Sequence, residues 1–150
     1  MLEQQIEQDL KTALLGGDAA RVSTLRMVKS TLLNLKVANG TRDVGLKDEE
    51  VLGVLGKEAK KRQESADMYT QAGDQTRANA ELAEKAIIDA YLPAQASEAE
   101  ITQAVDEAIA ATGASGPAGM GPVIGQVKAK FGAGADGGVI ARIAKEKLAQ

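Results

Sequence analysis

Tyr91-Leu92-Pro93-Ala94-Gln95-Ala96-Ser97-Glu98-Ala99-Glu100 decides how this chain is organised. Pro93 has no amide hydrogen and disfavours helical geometry at the residue before it, so a helix arriving from the N-terminal side must stop by Leu92. Ser97 and Glu100 then stand at capping-box spacing, where the hydroxyl accepts from the amide three residues on and the glutamate reaches back to the serine amide. A helix ends, the chain extends briefly, and a new helix begins. The stretch therefore predicts a boundary, with residues 1–93 as one helical domain and 94–150 as a smaller one.

Apolar residues recur at steps of three and four on both sides of this link. Toward the N-terminus, Leu2, Ile6, Leu10, Ala13 and Leu14 mark a first helix that Gly16-Gly17 stops. Asp18 is placed to cap a second, which carries Val22, Leu25, Val28, Leu32 and Leu35 and ends at Asn39-Gly40. Asp48-Glu49-Glu50 put acids in the first turn of a long third helix with Leu52, Leu55, Ala59, Ala66 and Tyr69 inward; Gly53 and Gly56 weaken it. Asp74 caps a fourth, whose stripe of Ala80, Ala83, Ile87 and Ala90 is expected to pack. Beyond the link, a fifth helix presents Ile101, Val105, Ala108 and Ile109. A sixth carries Met120, Val123, Ile124, Val127 and Phe131, and a seventh Ile140, Ile143, Ala144 and Leu148, although nine of the sixteen glycines lie from Gly113 onward. The expected fold is all-α, a four-helix N-terminal part followed by a three-helix module.

Composition removes several function classes. The 150 residues contain no cysteine and no histidine, which excludes disulfides, thiolate metal sites, a cysteine nucleophile and the usual general base. No metal or cofactor is expected. No apolar run is long enough to span a membrane, and the start of the chain lacks the basic-then-apolar pattern of a signal peptide, so a cytoplasmic location is expected. A net charge of -3 provides no global attraction to nucleic acid, and any such binding requires a local patch.

Two basic groups qualify. Lys57, Lys60, Lys61 and Arg62 form the densest cluster, on the third helix, with Glu58 and Glu64 as neighbours. From Gly113 onward Lys128, Lys130, Arg142, Lys145 and Lys147 outnumber Asp136 and Glu146, a net +3, whereas the fifth helix holds Glu98, Glu100, Asp106 and Glu107. The module is expected to present its last two helices to a polyanion with the acidic helix facing away. Gly132-Ala133-Gly134-Ala135-Asp136-Gly137 matches a dinucleotide-binding string. Its context is wrong: a helix precedes it in place of a strand, and only thirteen residues follow Gly137, too few for the acidic ribose ligand. It reads as a turn with Asp136 as a cap. Adjacent acids such as Asp106 and Glu107 point apart on a helix, and the serines have no histidine partner, so no catalytic residue is assigned.

Seven short strings, in order, resemble the GatB/YqeY family: Leu25-Arg26-Met27-Val28, Leu46-Lys47-Asp48-Glu49-Glu50-Val51, Lys61-Arg62-Gln63-Glu64-Ser65, Gln71-Ala72-Gly73, Tyr91-Leu92-Pro93, Met120-Gly121 with Gly125, and Ala135-Asp136-Gly137. The chain looks like a free-standing member, and residues 94–150 are similar to the tail domain of the B subunit of the tRNA-dependent amidotransferase. The resemblance implies tRNA or tRNA-handling proteins as partners. The family's label of carbon-nitrogen ligase with glutamine as amide donor implies at most an accessory subunit here, since the catalytic core is absent. A protein-interaction adaptor, with the stripe of Ala80, Ala83 and Ala90 or the glycine-rich tail accepting a partner helix, is the alternative. Gly134 and Pro122 stand where basic residues are common in the family, which removes two candidate phosphate contacts.

Overall fold

The computed structural model describes all 150 residues. It is all-α, with seven helices and no strand: α1 (Leu2–Gly16), α2 (Ala19–Asn39), α3 (Asp48–Gln71), α4 (Gln75–Asp89), α5 (Glu98–Thr112), α6 (Met120–Phe131) and α7 (Gly137–Leu148). Short 3-10 turns, Pro117–Gly119 and Gly132–Gly134, precede α6 and α7. The chain divides into two compact units, Met1–Leu92 and Pro93–Gln150, each with its own apolar core.

In the first unit the helix ends follow local chemistry. Asp18 accepts from the Arg21 amide at 3.0 Å and Asp74 from the Arg77 amide at 3.0 Å, while Gly17 and Gly40 take the left-handed conformation that closes α1 and α2. Asp48 accepts from the Leu2 amide at 2.9 Å, joining the starts of α1 and α3. The core gathers Ile6, Leu10, Leu25, Val28, Leu32, Val51, Leu55, Ala59 and Ile88. The α3–α4 pairing is the most extensive in the unit, and the buried methyls of Ala59, Ala66 and Ala78 keep it close.

Of the expected stripe on α4, only Ile87 packs against this core. Ala80, Ala83 and Ala90 are exposed, and Ala78 and Ile88 are buried instead. The cause lies on α3, whose inward stripe runs Val51, Leu55, Ala59, Arg62, Ala66. A buried guanidinium requires a carboxylate, and Glu84 supplies one. Rotating Glu84 toward α3 carries Ala78 and Ile88 inward with it and turns the alanines out.

Tyr91, just past α4, donates its hydroxyl to Asp9 Oδ2 at 2.5 Å, and Arg21 stands 3.8 Å from the same oxygen. Partial burial, then the hydrogen bond and charge of Asp9, push the phenol up to about 12. Folding therefore favours the protonated phenol. Its contribution is complete below pH 10 and disappears as pH rises from there to about 12. Tyr91→Phe should lose about 1 kcal/mol at neutral pH and show a shallower decline in urea midpoint across that window. Parallel curves for the two proteins would rule the link out.

The second unit begins with the expected capping box, Glu100 N–H to Ser97 Oγ at 3.1 Å and Ser97 N–H to Glu100 Oε2 at 2.7 Å. Ile101, Ala104, Val105 and Ala108 of α5 meet Val123 and Val127 of α6 and Ile140, Ile143, Ala144 and Leu148 of α7. Each helix packs on the other two. Phe131, expected inside, is only half-buried against this core. The glycine-rich turn is held by backbone: the Gly134 carbonyl accepts from the Ala96 amide at 2.7 Å, and the Ala133 carbonyl from the Gln95 side chain at 3.0 Å. A Cβ at Gly134 would lie 3.3 Å from the Ala94 oxygen, so this position keeps the chain close to its own link segment.

Candidate nucleic-acid interface

Lys128 and Lys130 occupy the last turn of α6, Lys145 and Lys147 the last turn of α7, and Arg142 the turn before. Lysines there oppose the negative end of each helix dipole, which accounts for part of their placement without a ligand. The acidic helix does not face away. Because α5 borders both α6 and α7, its acids meet their bases: Glu107 pairs with Lys130 at 3.2 Å, Asp106 with Lys147 at 3.2 Å, and Glu98 with Arg142. Glu146 adds a contact to Arg142 at 3.3 Å. Hydrogen bonding to Glu98, then to Glu146, raises the arginine above its already high ordinary value. These pairs leave Lys128 and Lys145 as the two tail bases outside any ion pair. The Lys128 side chain lies across the start of α7, its Cε 3.4 Å from where a Cβ on Gly137 would stand. Asp136 caps that helix, accepting from Gly138 at 2.7 Å and Val139 at 3.2 Å, so the glycine string is a helix-to-helix turn.

The α3 cluster divides differently. Lys57, Lys60 and Lys61 are exposed, but Arg62 is 6% exposed and structural. Its Nη1 donates to Glu58 Oε2 at 2.7 Å and to the Glu58 carbonyl at 3.0 Å, its Nε to Glu84 at 3.1 Å, and its Nη2 lies 3.2 Å from Met27 Sδ. Glu58 thus serves Arg62, not the lysines. The signal that separates Arg62 from its neighbours was present in the spacing 51, 55, 59, 62, 66, which puts it on the apolar stripe.

A groove between α1 and α2, lined by Ile6, Leu32 and Leu33, holds the remaining cluster of opposite charges. Lys29 pairs with Glu7 at 2.5 Å and Lys36 with Glu3. Each lysine hydrogen bond is the largest cause holding its glutamate below the usual carboxylate range, so both acids are ionised pair members and poor proton donors at neutral pH.

A family model described as Yqey-like protein matches residues 3–148. The chain belongs to this family. No curated protein matches it. The match spans both units, and the strings that carry the Yqey-like resemblance have identifiable structural duties. Leu25 and Val28 are core, Met27 meets Arg62, Gly73 closes α3 with φ 78°, Tyr91 binds Asp9, and Asp136 caps α7. In this Yqey-like chain those strings specify the fold, and Lys128 and Lys145 lie outside them. No helix is long and apolar enough to cross a membrane.

Proposed function

We propose that this chain is a non-catalytic tRNA-associated binding protein whose tail unit contacts phosphates. The observation that carries the reading is the pair of exposed lysines, Lys128 and Lys145, that no carboxylate of the unit neutralises while Lys130, Arg142 and Lys147 are paired. The similarity of residues 94–150 to the amidotransferase tail supports tRNA as the polyanion. Lys128 and Lys145 make the principal contacts, and the three paired bases contribute only as far as phosphate displaces a carboxylate. On α3, Lys57, Lys60 and Lys61 share their face with Glu49, Glu64 and Asp67, which weakens any appeal to phosphate.

Two phosphate contacts correspond to a slope of log K against log salt of about -1.4 to -1.8. Titrating tRNA at several salt concentrations should give that slope. Lys128→Ala with Lys145→Ala should remove most of it and weaken binding several-fold, whereas Lys130→Ala should have a smaller effect. Salt-independent binding, or binding indifferent to the double variant, defeats the proposal.

The adaptor reading gains one specific observation, that Ala80, Ala83 and Ala90 form an exposed, uncharged strip. Partners captured from a lysate that survive nuclease, and are lost when Ala83→Glu is the bait, would favour it over tRNA.

A further inference from the structure

Glu49, Gly53, Gly56, Lys57 and Lys60 of α3 follow at steps of four, three, one and three and so share one sector turned away from the buried stripe, with Gly56, half-buried, at its edge. A Cβ at Gly53 or Gly56 would meet no atom within 4 Å, and neither residue has positive φ. Nothing inside the chain therefore requires glycine at either place, although glycine is among the poorest residues for a helix interior. What the two have in common is bare backbone where another surface can approach closely. The charges indicate which surface. Glu49 lies about one turn before Gly53 and Lys60 about one turn after Gly56, so the row reads acid, glycine, glycine, base. Reversed and with its charges exchanged, the row is unchanged.

We propose that α3 pairs with α3 of a second copy of this chain, antiparallel about a two-fold axis passing between Gly53 and Gly56. Gly53 of each copy lies against Gly56 of the other, and Glu49 of each lies beside Lys57 and Lys60 of the other. Such an interface is isologous, every contact occurring twice. RNA fits this face less well, because Glu49 sits on it and Glu64 and Asp67 continue it. One helix crossing buries less than the roughly 1,200 Å² of stable complexes, so the dimer is weak and forms at high micromolar concentration.

Sedimentation velocity from about 10 μM to about 1 mM should show the mass of the native chain rising toward a dimer. Glu49→Lys, and separately Lys57→Glu with Lys60→Glu, should each weaken self-association at least about ten-fold by placing like charges opposite one another. Mixed in equal amounts they should associate again, since one then presents lysines at positions 49, 57 and 60 and the other carboxylates at all three. Gly53→Ala with Gly56→Ala should raise the thermal midpoint of the monomer and yet weaken the dimer. A native chain that stays monomeric at about 1 mM, a mixture no more associated than its components, or unchanged association in the alanine variant overturns the proposal.

Discussion

Arg62→Met should destabilise the unit of residues 1–92 by about 2–4 kcal/mol, read as a fall in urea midpoint at unchanged slope. Methionine fills much the same volume, so the loss comes chiefly from charge. Glu58, whose side chain is 12% exposed, and Glu84, at 41%, would face each other without the cation between them. Exposure of Glu84 keeps the effect below that of a fully enclosed pair. Arg62→Lys should fall between, because one ammonium cannot make the separate contacts to Glu58, Glu84 and Met27 that the guanidinium fork makes. Adding Glu58→Gln and Glu84→Leu to Arg62→Met should return much of the stability, since uncharged replacements for all three partners leave no buried charge. Lys61→Ala, one residue away in the same basic run, should change stability by less than about 0.5 kcal/mol. Equal effects at positions 61 and 62 would contradict the structural role of Arg62.

The second large effect is expected from Ile140→Ala. Ile140 is fully buried in the core of residues 93–150, and removing its side chain beyond Cβ costs about 2–5 kcal/mol in transfer and cavity terms. So small a three-helix unit has only a few kcal/mol in total, so it should unfold. No residue of its core belongs to the core of the first unit. Hydrogen exchange should therefore show protection lost across α5, α6 and α7 and retained in α1 to α4. Ile140→Val, which removes one methylene, should keep the unit folded with a loss of about 0.5–1.5 kcal/mol. Simultaneous loss of protection in both units would show that they unfold as one.

Much of the fold was legible because its determinants act within a few residues. Pro93 ends one helix through its own ring, Ser97 and Glu100 begin the next through two short hydrogen bonds, and Asp18, Asp74 and Asp136 cap helices through amides two or three residues away. The same holds for the apolar rows of α2 and α7, where large side chains at steps of three and four leave one way to face a core. On α4 the same spacing left the inward side open, since alanines are too small to fix which side turns inward.

The basic groups were legible as composition and not as a site. Lys61 and Arg62 are neighbours in the sequence, yet one is in water and the other among carboxylates and a sulfur, because consecutive residues point about 100° apart around a helix. Lys128 and Lys130 look alike until α5 sets Glu107 beside only one of them. Helix ends, caps, the link at Pro93 and the all-α class were determined by the sequence itself, through steric and hydrogen-bonding effects of short range. Arg62 in the core, Glu84 turned to meet it and the neutralisation of three tail bases were decided only by tertiary packing, because they depend on how each helix is rotated and on what distant segments place opposite it.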